Sequence, residues 1–161
     1  MSIPPEFGGL VYGTVLALVL VGVTCLLSRV LAEIWIRALL AVVLVVAAAV
    51  YVAFAASGAD GGWVVLELVG VAVYGGLAAL GVRGSRWWLV AGWTAHPVWD
   101  VLLHYVGPGR SFAPDTYTIP CLAFDLIVAV YIAVAGRSWP SERRRRTVAG
   151  RGADTAEPVL R

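Results

Sequence analysis

Five apolar runs, each close to 20 residues long and divided by short connections, restrict this chain more than any other feature of its sequence. A helix needs about 20 apolar residues to cross the hydrocarbon core of a bilayer. Backbone polar groups find no water there, so spanning segments of this kind are helical. The runs predict helices over about 8–28, 35–56, 63–82, 86–106 and 119–136, an all-α, polytopic, five-transmembrane-helix bundle. "SGADGG" (57–62) and "RGSR" (83–86) are turn sequences and set neighbouring helices antiparallel. A longer loop, 107–118, precedes Pro120, which is expected in the first turn of the last helix. A mean hydropathy of +0.86 with 14% charged residues agrees with a membrane class.

Arginine placement gives an orientation. Arg29 and Arg37 flank the first connection and Arg83 and Arg86 the third, and seven Arg follow the fifth helix. The second connection has none and the fourth only Arg110. The positive-inside rule then predicts the N-terminus outside and the C-terminus in the cytoplasm. Arg-only basic usage, with abundant Ala, Val and Gly, is bacterial in character, and the expected location is the inner membrane.

Residues 137–161 are expected to form a disordered basic cytoplasmic tail. Its "ERRRR" (142–146) reads as a topology anchor, and no nucleic-acid recognition module accompanies it. Cys25 and Cys121 are expected near opposite faces of the bilayer, out of disulfide reach. The first apolar run has no preceding Arg and no small-residue cleavage site, so it is expected to be a retained helix.

The fourth run breaks the apolar pattern. "GWTAHPVWDVLLHY" carries His96, Asp100 and His104 four residues apart, an 80° arc of one helix face. A carboxylate deep in a span costs about 3 kcal/mol, so this face should look into the bundle. Pro97 removes a backbone donor and predicts a kink. Helix antiparallelism places Asp100, Asp125 and Glu67 at nearly one depth in the outer half, with His104 and Cys121 close by and His96 deeper. Gly70, Gly75 and Gly76 would let the third helix approach its neighbours closely.

Intramembrane ionisable clusters are by default functional sites. The expected function is an integral membrane enzyme using acid–base chemistry (isomerisation, cyclisation, or epoxide or ring opening) on a lipophilic, terpenoid- or lipid-like substrate. A carboxylic acid in apolar surroundings holds its proton tightly, and a second carboxylate tightens that hold. Asp100 and Asp125 are the expected acid/base pair, with His96 and His104 relaying protons and Glu67 as a third carboxylate. Trp93, Trp99, Tyr74, Cys121 and Tyr117 are the expected substrate-binding residues, with Trp93 as cavity wall, in a pocket open to the outer side. This chemistry needs no cofactor. Its partners are the bilayer and the lipophilic molecule.

Two alternatives stay open. The polar network can simply fix helix register. Or His96, Asp100, His104, Asp125 and Glu67 can offer mixed N/O ligands to a metal, although about 12 Å along the helix axis separates His96 from His104. A conducting path is not expected, because the inner half carries no polar counterpart.

The order Gly92-Trp93-x-x-His96-Pro97-x-Trp99-Asp100-x-x-x-His104, then Pro114, Tyr117 and Cys121-x-x-x-Asp125, resembles a family of small bacterial multi-pass membrane proteins of unknown function. The resemblance covers roughly residues 86–135 and implies no particular chemistry. In site design the chain is also similar to five-helix sterol isomerases of the emopamil-binding type. These set a His and an acid four apart beside a lipid cavity, as His96 and Asp100 stand here, with Asp in place of that family's Glu.

Overall fold

The computed structural model describes residues 5–139. The tail read as disordered begins at 137, and most of it lies outside those residues. Five α-helices follow one another: α1 (Pro5–Leu27), α2 (Glu33–Gly58), α3 (Gly61–Arg83), α4 (Trp87–Trp99) and α5 (Asp115–Ala135). Four of them, all but α4, are long and apolar enough to cross a membrane. Among the described residues the architecture is all-helical, with four helices that could span a membrane.

The fourth helix is not one regular rod. After Trp99 it continues as a π-helical turn, Asp100–Tyr105, and a 3-10 turn, Pro108–Ser111, follows. The kink expected at Pro97 is thus replaced by a widened turn just beyond it. Asp100 N–H is shared between the carbonyls of His96 and Pro97, and Val106 N–H reaches back five residues to Val101. A π turn advances less per residue than an α turn, which shifts His104 off the arc that α spacing assigns to it.

A second correction concerns α5. It starts at Asp115, four residues earlier than expected, so Pro120 lies inside the helix rather than in its first turn. Polar "DTYT" looks like loop, yet Tyr117 and Thr118 turn inward: Tyr117 Oη donates to the Ala47 carbonyl at 3.2 Å, and Thr118 is buried.

Helix neighbours follow from which faces carry small or apolar residues. The buried stripe of α2 is Ile36, Leu40, Ala41, Leu44, Ala48, Tyr51 and Ala55, a 3.6-residue period. It packs mainly on α3. The order across the bundle is α1–α5–α4–α3–α2, with α2 also touching α4. Only 17% of the α1 apolar window is buried, against 44% for α5, so α1 is peripheral and α5 central. Of the glycines expected to allow close approach, Gly70 meets the Trp99 indole, whereas Gly75 and Gly76 face open space. Gly81 makes the second close contact instead, against Leu89.

The core has two layers. Ile36, Leu40, Leu44, Ala78, Leu89, Trp93, Val128 and Ile132 fill the end of the bundle that carries Arg37, Arg83 and Arg86. The buried polar residues other than Thr24 fill the other end.

Two helix ends are secured by side chains. Asp60 caps α3, accepting from Gly62 N–H (2.9 Å) and Trp63 N–H (3.2 Å). Arg37, ion-paired with Glu33, donates to the Gly84 and Gly81 carbonyls at 2.7 and 3.3 Å and so ties α2 to the C-terminal end of α3. Replacing Arg37 by Met should remove these charge-assisted bonds, worth ~1.5–3 kcal/mol. A melt in detergent should show a lower midpoint; an unchanged one would mean the tie is idle.

Candidate functional site

Three helices and a loop build the buried polar layer. His96, Asp100 and His104 come from α4 and its π continuation, Asp125 from α5, and Glu67 from α3. All five side chains are 0–2% exposed. The gathering expected from helix depth is therefore present, and it divides into two groups.

The inner group is His96, Asp100 and Asp125. His96 Nδ1 donates to Asp125 Oδ2 at 2.8 Å and lies 3.5 Å from Asp100 Oδ2. One ligand-capable atom from each of the three lies within 4.8 Å of the others. Asp125 Oδ1, both Asp100 oxygens and His96 Nε2 have no hydrogen-bond partner. The Tyr51 hydroxyl is near Asp100 but is aligned on Thr118 Oγ1, at 3.3 Å.

The second group is Glu67 and His104. His104 Nε2 lies 3.4 Å from Glu67 Oε1, without the alignment of a hydrogen bond. The Tyr51 ring stacks on the His104 imidazole, 4.0 Å between centroids and 11° from parallel. Phe112 meets His104 edge-on at 5.7 Å, Trp63 lies 6.4 Å away, and Gly109 backs onto His104 Nδ1.

Around these groups the other expected residues are distributed unevenly. Tyr74 stands edge-on to His96 at 5.0 Å. Trp99 is edge-on to Tyr74 at 6.3 Å and seats its indole in the notch at Gly70. Tyr117 packs edge-on against Tyr51 at 5.4 Å, and Cys121 is buried one turn before Asp125. Trp93, expected as cavity wall, lies instead in the apolar layer with Phe124 at 5.7 Å. Cys25 and Cys121 are both free thiols.

The sequence predicts a pocket open to the outer side. The void bounded by Tyr51, Glu67, Gly70, Tyr74, His96 and Trp99 is too narrow for a water molecule. A terpenoid does not fit there without movement of a wall.

Tyr51 is the participant that sequence reading missed. It lies on α2, where no ionisable residue marks a site. The available signal was a phenol within a long aliphatic run, "VLVVAAAVYVAFAA". Phe112 and Trp63 were hidden similarly, by loop and interfacial roles that aromatic residues fill anyway.

This is the geometry of a helical membrane protein with a closed, ionisable centre among α2–α5. The model of the family of unknown function DUF6010 matches residues 12–138, and the chain belongs to that family. No curated protein and no solved structure matches. The likeness to sterol isomerases accordingly has no support beyond the His96–Asp100 spacing.

Proposed function

We propose that this protein is a five-span membrane protein that holds one divalent transition-metal ion at His96, Asp100 and Asp125. The fourth span is read as residues 87–105, α4 with its π continuation. The arginine pattern argues for the N-terminus outside, the C-terminus in the cytoplasm, and a bacterial inner membrane.

The observation that carries the metal reading is the unsatisfied, sealed donor set. Three carboxylates and two imidazoles lie buried together, and the void that Glu67 and His96 border has no room for water. Were all three carboxyls ionised, even two imidazolium ions would leave one negative charge uncompensated, and buried charges are paired, neutralised by a proton or bound to metals. One divalent ion between Asp100 and Asp125, with neutral His96, balances the inner group. Ligand bonds of 2.0–2.2 Å put tetrahedral donors about 3.4 Å apart. The His96 contacts of 2.8 and 3.5 Å bracket that spacing. One imidazole and two carboxylates suit Zn, Mn or Fe(II) over a thiophilic ion. Such a set leaves a fourth coordination position.

Elemental analysis of the full chain purified from membranes tests this. About one divalent ion per chain is expected, and Asp100→Asn or Asp125→Asn should each remove it. A metal-free wild type that takes up none of these ions on addition defeats the reading.

The acid–base enzyme acting on a lipophilic molecule is a second reading, favoured by one contact. Trp99, partly exposed among the lipid-facing Val98 and Leu102, forms the wall between the centre and the bilayer. An indole swinging out of the Gly70 notch would admit a substrate sideways. A host lipid and terpenoid profile unaltered by Asp125→Asn would remove that reading.

A further inference from the structure

The Glu67–His104 group has no task in the inner ligand set, yet its chemistry is the same. Both His104 nitrogens and Glu67 Oε1 are buried without a hydrogen-bond partner. Charged partners in a dry site ordinarily close to ~2.7–2.9 Å. These two stand at 3.4 Å without alignment, the spacing of two donors about one ion.

Their position in the fold gives the arrangement a direction. On one side, Gly109 and Phe112 of the 107–114 loop cover His104. On the other, Glu67 and His96 border the same void. Loop, second group, void and inner group thus form one series. The Arg-rich end of the bundle continues it with a mainly apolar core.

We propose that Glu67 and His104 form a second cation position, a transit site through which a divalent metal ion passes between the loop end of the bundle and the His96–Asp100–Asp125 centre. This rests on the metal-binding reading above. Charge makes the occupancy sequential. With the inner group neutralised, a second divalent ion would add net positive charge to a dry space, so the transit site fills only as the ion moves. Tyr51, face-on to His104, fixes the plane of that imidazole.

Exchange kinetics test the proposal. The full chain in detergent, loaded with Co²⁺, is followed by visible absorption during loading and during extraction by excess EDTA. Glu67→Gln and His104→Gln should slow both processes at least tenfold, because the stepping ligand is lost. A purely structural pair predicts the opposite sign, since a loosened bundle releases its ion faster. Unchanged or faster exchange in the folded variants therefore overturns the transit site. If one variant fails to fold, the other decides. A wild type that binds no Co²⁺ defeats the metal reading itself, and the transit site with it. Normal loading with exchange indifferent to both substitutions defeats only the transit site.

Discussion

Asp100→Asn should make the metal-free protein more heat-stable while abolishing its metal binding. The two effects share one cause. Asp100 is fully buried and neither of its oxygens accepts a hydrogen bond, so the carboxylate forfeits its hydration with little return unless an ion is present. Removing that group relieves ~1–3 kcal/mol, a midpoint rise of a few degrees in a chain of this length. Asp125→Asn should behave differently. It weakens the 2.8 Å bond from His96, and breaking a buried charged pair costs ~3–5 kcal/mol. Both variants lose the ion, and their melting midpoints in detergent move in opposite directions. If the cluster were only a helix clamp, both would fall. A lower midpoint for Asp100→Asn would therefore count directly against a site built for a ligand.

Gly13→Val should detach α1 from the bundle. The first helix buries little beyond Gly13, Ala17 and Thr24, a stripe of small residues that lets its backbone approach α5. A Cβ at Gly13 would stand 2.1 Å from the Pro120 carbonyl oxygen and 2.9 Å from its Cα. Backbone atoms cannot give way as a side chain would, so the helices must separate and most of the α1–α5 contact is lost. The expected loss is at least the ~1–3 kcal/mol typical of overpacking. Limited proteolysis should release α1 from the variant and leave wild type intact. Gly22→Val, which meets nothing within 4 Å, is the matched control. Equal resistance of the two variants would refute the close contact.

Span positions were readable because they depend on local hydropathy. Runs at 8–28, 35–56 and 63–82 correspond to helices Pro5–Leu27, Glu33–Gly58 and Gly61–Arg83. The start of α5 was not readable, because Tyr117 and Thr118 are polar by type and inward by tertiary contact. The π turn at Asp100–Tyr105 was equally hidden: spacing assumes 100° per residue, and the turn departs from it where His104 must be placed. That departure separates His104 from Asp100 and joins it to Glu67. Trp93 and Trp99, both expected to bind substrate, part for a related reason, Trp93 joining the apolar layer and Trp99 the lining beside Glu67 and His96. The wheel orders directions around one helix but does not say which neighbour stands in each.

The sequence alone determined that the chain is a helical membrane protein and that ionisable groups on the third, fourth and fifth helices lie at similar depth. Hydropathy and connection length are properties of a segment, and both survive any arrangement of neighbours. Tertiary structure decided the grouping of five ionisable side chains into three and two, the presence of Tyr51, and the closure of the space between them. Those depend on helix rotation and on distances between segments remote in sequence, which contacts such as Gly13 on Pro120 and Trp99 on Gly70 set.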